Sequence, residues 1–364
     1  MKSKSFFAAG ALLLMTAIAG FATSFDWEKA VSLYKQGQYR AAVAEFQNVV
    51  AEFPNHADSW KFIGLSYYQL KEYEKAMPAL EKALALKKAD GKTDPDLLLA
   101  LSRVQISLKK YDQALPFLEN LTKQRPDLAS NQYMLGVAYA NLNRTEESIT
   151  AFRAAVKLAP QDADAWQYLS LQQLRVGRST EAISSLRSGL VAAPKNVEMT
   201  SLLAEALLRQ GATETNEVKA NALYEEAIRV ATSLRSLRDD AASSELLGRA
   251  YLAAKKYVPA EQSLQRALTL NKQPTAALFF NLAFAQSQNK VWAPAAENFT
   301  QADRLKPNDV NTLYYLGFVY ENLHRYQPAL DAYTRAFEAS GRTNQDLKAS
   351  MDRVAPFAKP QKPQ

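Results

Sequence analysis

At 364 residues, 48% apolar and 22% charged, the chain has a globular composition that excludes wholesale disorder. Its formal charge of +7 is spread along the sequence with no basic run of five residues, which argues against a nucleic-acid surface, where cations gather on one face. The absence of cysteine excludes disulfides, thiolate metal sites and lipid attachment to a leader cysteine.

The first element is a leader. "MKSKS" is a basic start, "FFAAGALLLMTAIAGFA" an apolar run, and "FATS" offers small residues for cleavage after Ala22 or Ser24. Residues 1–24 read as a secretory signal, and loss of Lys2 and Lys4 leaves a mature charge of +5. The expected location is periplasmic or otherwise exported. The alternative is an uncleaved anchor, because Phe6 to Ala22 sits at the short edge of the roughly 17–25 residues that span a bilayer. After cleavage no integral membrane segment is expected.

From residue 23 the sequence repeats. Nine units begin near residues 23, 57, 95, 129, 163, 197, 241, 276 and 310, and five of the eight spacings are 34 residues. The eighth place of each unit holds Ala30, Gly64, Ser102, Gly136, Ser170, Ala204, Gly248, Ala283 or Gly317. The twentieth place holds Ala42, Ala76, Ala114, Ser148, Ala182, Ala220, Ala260, Ala295 or Ala329, with a four-residue insertion allowed in unit six. Helices approach closely only where both carry small side chains, so each unit reads as two helices crossing at these places. Four residues after the second small place, on the same helix face, come Phe46, Leu80, Leu118, Phe152, Leu186, Tyr224, Leu264, Phe299 and Tyr333.

Turns such as "KQGQY" and "LKEY" separate the helices of a unit, and Pro54, Pro126, Pro160, Pro194 and Pro307 stop the second one. Asp58, Asp96, Asp164 and Glu198 open the next helix on the favourable side of its dipole. Unit one has Asp26 and Lys29 where apolar residues are expected, which suits an exposed end repeat. Unit six inserts "ATETNEVKA" before a long helix from about Glu217 to Leu237. "TNQDLKASMDRVAPF" reads as a capping helix over 342–357, with Leu347, Met351 and Val354 on one face, and 358–364 as a flexible tail.

These places resemble the tetratricopeptide repeat, W/L-x-x-L-G-x-x-Y followed by A, F/Y, A and P. Trp60, Gly64, Tyr67, Ala76 and Ala83 carry the resemblance in unit two, and Leu135, Gly136, Tyr139, Phe152 and Pro160 in unit four. The resemblance covers residues 25–341 and implies an all-α fold: one right-handed superhelical solenoid of antiparallel helix pairs, with first helices lining a concave groove that binds protein or peptide. Some family members hold a C-terminal carboxylate with a Lys and Asn clamp. Here those places read Trp27, Val31, Leu65, Leu99 and Arg103, so the clamp is missing.

Catalytic patterns are scarce. His56 and His324 stand alone at inter-helix turns and are expected to be solvated. Ser32 with Lys35, and Ser107 with Lys110, match S-x-x-K without the partner motifs of a Ser-Lys hydrolase. Asn120, Asn143 and Asn298 begin N-x-T sequons that read as incidental. The expectation is no enzyme, no cofactor and no metal.

The function expected is a non-catalytic scaffold in the periplasm or cell envelope, binding a protein or peptide in the groove. Candidate contacts are Phe280, Phe284, Tyr314 and Phe318, at the fifth and ninth places of units eight and nine, where "AALFFNLAFAQ" is apolar nearly all round. In that helix Phe279, Leu282 and Ala283 are assigned to the repeat core. The alternatives are an assembly factor for envelope export machinery or a binder of anionic envelope polysaccharide. The polysaccharide reading is motivated by Arg103, Arg175, Arg209 and Arg249 and set against Glu205 and Glu245.

Overall fold

A computed structural model of the protein describes residues 26–91 and 94–358. The leader at 1–24 and residues 359–364 of the tail lie outside them. The chain divides into two compact units, Met1–Ala155 and Val156–Gln364. In the first, α1 (Trp27–Lys35) pairs with α2 (Tyr39–Glu52), α3 (Ala57–Gln69) with α4 (Tyr73–Ala89), α5 (Pro95–Ser107) with α6 (Tyr111–Gln124), and α7 (Ala129–Asn141) with α8 (Thr145–Leu158), whose last residues belong to the second unit. In the second, α9 (Ala163–Arg175) pairs with α10 (Ser179–Ala192), α11 (Val197–Thr213) with α12 (Glu217–Leu237), α13 (Ala241–Ala253) with α14 (Tyr257–Leu270), α15 (Ala276–Gln288) with α16 (Trp292–Leu305), and α17 (Val310–Asn322) with α18 (Tyr326–Ala339). Helix α19 (Gln345–Val354) and a 3-10 turn, Ala355–Phe357, follow. There is no strand among the described residues, and the architecture is an all-α repeat solenoid.

Local chemistry sets the helix ends. Asp94, Asp162, Asn196 and Asp309 each accept from the backbone N–H three residues on, at 2.9–3.1 Å, satisfying a donor the helix leaves open. Asp26 does the same for Lys29 N–H at 2.9 Å, and the Lys29 ammonium pairs with Glu45 on α2. Both residues thus have local partners in the first repeat. His56 is exposed, as expected of a turn residue, and also caps α3: its Nδ1 accepts from Ser59 N–H at 3.2 Å, and its ring meets Trp27 edge-on at 4.9 Å. At the turn within every pair except α11–α12 one residue takes the left-handed conformation. Gly37 and Gly177 do so freely, whereas Lys71, Lys109, Asn143, Lys255, Lys290 and His324 adopt it with φ between +55° and +63°.

The core lies between paired helices. Phe46, Leu80, Leu118, Phe152, Leu186, Leu264, Phe299 and Tyr333 are fully buried, and the alanines and serine four residues before them are equally inaccessible. A Cβ on Gly64 would lie 2.4 Å from Leu80 Cγ, so the close approach requires glycine there. Ser148 uses its place twice, as a small residue and as a donor to the Gly136 carbonyl at 2.9 Å.

Unit six corrects the register read from sequence. Tyr224 is only half-buried and Ala220 is 8% exposed, while Ala227 and Ala231, seven residues further along, are fully buried with Ala204. The insertion therefore precedes Ala227. Helices α11 and α12, at 17 and 21 residues, are longer than the 13 and 14 of the neighbouring pair, and in the added length Gly211 meets the Tyr224 ring. Seven residues are close to two helical turns, so both registers place small residues on one face.

At the C-terminal end, Leu347 and Val354 of α19 are buried against Leu313, Tyr333 and Ala336, with Met351 packed beside them. No helix among the described residues is long and apolar enough to cross a membrane.

Candidate functional site

The candidate aromatic residues all lie in the second unit. Helix α15 carries no charged residue. Its Leu278, Leu282 and Ala283 are fully buried, whereas Phe279 is half-buried, so Leu278 and not Phe279 completes the core face. Phe280 and Phe284, one turn apart, are half-buried and lie nearly parallel with centroids 6.3 Å apart. Phe280 presents its ring edge-on to buried Phe299 at 5.6 Å and to Tyr315 at 6.0 Å. Phe284 meets Tyr315 at 5.1 Å and Tyr257 at 6.2 Å, also edge-on. Such edge and offset geometries place positive ring edges on negative ring faces.

Tyr314 and Phe318 form the second part. Tyr314 packs on Tyr315 at 5.2 Å and tilts against Tyr333 at 6.0 Å, while Phe318 meets Trp292 at 5.9 Å. With Arg353 and Phe357 they line a pocket of about 720 Å³ between α17 and the C-terminal helix. At its wall Glu321 accepts from Arg353 Nε and Nη2 at 2.8 and 2.9 Å and from the Tyr333 hydroxyl at 2.9 Å. The Arg353 guanidinium is the main reason the Glu321 carboxyl stays below the ordinary carboxylate range, with Tyr333 assisting; burial and Glu321 together push the Tyr333 hydroxyl up.

Two residues at this face escaped the sequence reading. Tyr315 touches Phe280, Phe284, Phe299 and Tyr314, and Tyr257 extends the ring set from the start of α14. The available signal was the Tyr-Tyr pair of "LYYLG", of which only Tyr314 was assigned to the face.

The candidate arginines are divided between the two compact units. Arg103 belongs to the first compact unit; Arg175, Arg209 and Arg249 belong to the second, and all four are exposed. Arg209 and Arg249 each follow a carboxylate, Glu205 and Glu245, by one helical turn. Glu205 is exposed. Glu245 is half-buried, and loss of water raises its pKa despite the attraction of Arg249. Among the described residues no group of three His, Asp or Glu is placed to hold a metal ion.

Comparison with known proteins agrees with this architecture. Tetratricopeptide repeat models match residues 28–91, 99–163, 169–217 and 218–276, and a second such model matches 67–130, together more than half of the chain. The BBSome complex member BBS4 of Mus musculus is 27% identical over 122 residues, 34% of this chain and 23% of the mouse protein; the Bos taurus protein is 26% identical over the same length. The chain thus spans less than a quarter of the curated relatives it matches. Among solved structures, the C-terminal part of a TPR repeat-containing protein from Cytophaga hutchinsonii is similar over 70% of this chain and 98% of its own, with TM-score 0.56 and 16% identity. Repeat proteins of this kind are generally non-catalytic scaffolds that bind protein or peptide partners. The match of repeat models over most of the helical pairs, with the small-residue crossings that define them, places this chain in the tetratricopeptide repeat family.

Proposed function

We propose that the protein is an exported scaffold that holds a segment of a partner protein on the first-helix face of units eight and nine. The observation that carries this reading is the half-covered ring set of Phe280 and Phe284, on a helix that bears no charge, with Tyr315 of α17. Contiguous apolar surface of this sort marks binding faces, and aromatic residues dominate binding energy where a partner excludes water. An amphipathic or extended partner segment would seat apolar side chains there.

Because Phe280 also packs on buried Phe299, truncating it disturbs the core, and a blocking substitution tests the face more cleanly. Ala277 is exposed one turn before Phe280, on the same side of α15. Ala277→Arg is expected to abolish crosslinked co-purification of the partner from envelope extract while leaving the melting temperature within about 2 °C. Unchanged co-purification would remove the face from consideration.

Export rests on the sequence of residues 1–24. The mature chain is expected to begin near Thr23 or Phe25, outside the cytoplasm. Sequencing the native N-terminus tests this, and an intact Met1 in a soluble cytoplasmic fraction would refute it. Binding of an anionic polymer is separable by salt, because it collapses between low and high ionic strength while apolar peptide binding persists.

A further inference from the structure

The fifth place of units seven, eight and nine holds Glu245, Phe280 and Tyr314, and the ninth holds Arg249, Phe284 and Phe318. Their helices pack in series, α13 on α15 and α15 on α17. The aromatic face is therefore bordered on the α13 side by one acid and one base of unlike standing. Arg249 is exposed and keeps its water. Glu245 is half-buried and forms no salt bridge among the described residues; Arg249 acts on it only through space, and burial outweighs that attraction. The other carboxylate of these three helices, Glu321, is already engaged by Arg353 and Tyr333.

A partly desolvated carboxylate without a direct ion pair gains from an incoming cation, since attraction strengthens as the local dielectric falls. The rings beside it select the same sign. Their faces are negative, so they welcome a cation on an apolar stem and disfavour a carboxylate.

We propose that units seven to nine recognise a segment in which a lysine or arginine stands close to an apolar anchor, with the cation at Glu245 and the anchor on Phe280, Phe284 and Tyr315. Packed helices lie about 8–10 Å apart, a distance an extended chain covers in about three residues. The inference rests on the reading of this face as a binding surface and adds the partner's chemistry to it.

The test uses the full chain and three fluorescein-labelled decapeptides, identical except for Lys, Gln or Glu three residues from a Leu-Phe anchor. Fluorescence polarisation is expected to show the Lys peptide binding about fivefold tighter than the Gln peptide, with the Glu peptide weakest, as suits one partly desolvated ion pair. Glu245→Gln should bring the Lys and Gln peptides within about twofold of each other, and Glu245→Lys should reverse the order. Circular dichroism melts confirm that each variant is folded. Equal binding of all three peptides to the native chain overturns the charge preference and leaves the aromatic face standing. No binding of any of them, or binding that Ala277→Arg does not disturb, overturns the face and the preference together.

Discussion

Gly136 lies so close to the Phe152 ring that a Cβ on it would stand 2.8 Å from Phe152 Cδ1. Phe152 is fully buried, so the ring cannot swing aside into solvent. Gly136→Leu is therefore expected to destabilise the first unit by about 1–3 kcal/mol through over-packing. Chemical denaturation followed by far-UV circular dichroism measures it, and an unchanged midpoint would argue against the helix crossing described.

Lys109 and Lys255 hold φ of +58° and +56° at the turn within their pairs, where Gly37 and Gly177 stand in equivalent units. A left-handed residue with a Cβ costs about 1–2 kcal/mol, partly offset by the greater freedom glycine has when unfolded. Lys109→Gly and Lys255→Gly should each raise stability by up to about 1 kcal/mol. A lower melting temperature in both would show that the lysine side chains make up the strain.

Gln105 is 3% exposed and its Oε1 has no protein partner. The equivalent glutamines are better served: Gln173 Oε1 accepts from Ser185 at 2.8 Å, and Gln286 Oε1 from Asn298 at 2.9 Å. Unit three has Phe117 at the matching place. A buried unsatisfied acceptor costs about 1–3 kcal/mol, so Gln105→Met should raise the melting temperature, whereas Gln173→Met should lower it by orphaning Ser185. Equal effects at both places would contradict this.

Glu321 has its folded pKa depressed, chiefly by Arg353 and also by Tyr333. The sign follows from linkage: the contribution is fully present above the ordinary carboxylate value of about 4.3 and is lost as pH falls through the lower folded value. Glu321→Gln should lower the melting temperature at pH 7, and the gap to the native protein should close as the buffer is taken below pH ~4. Glu245 runs the other way. Its folded pKa is raised by burial, so its ionised form penalises folding at neutral pH and the penalty lifts as pH falls through that raised value. Glu245→Gln should therefore stabilise the protein at pH 7 and converge with it in acid.

The repeat was legible in the residues because close helix crossing is a steric demand on residue type. No unit places anything larger than Ser at Ala30, Gly64, Ser102 and their equivalents, and all of these are buried. Phe280 and Phe284 were singled out as candidates for a related reason, since a helix without charge needs cover on more than one face, and Tyr314 and Phe318 by their equivalent places on α17. Unit six was not, because a shift of seven residues returns nearly the same helix face, and the choice of Ala227 over Ala220 depends on which turns of α11 and α12 cross. Nor could sequence show Tyr315 at the meeting of four rings, His56 as a cap against Trp27, or Glu245 losing its water beside Arg249. Residue type and spacing determine which side chains a helix offers on each face. Whether a ring meets another ring, or a carboxylate loses its water, is decided only when the neighbouring helix arrives and replaces solvent.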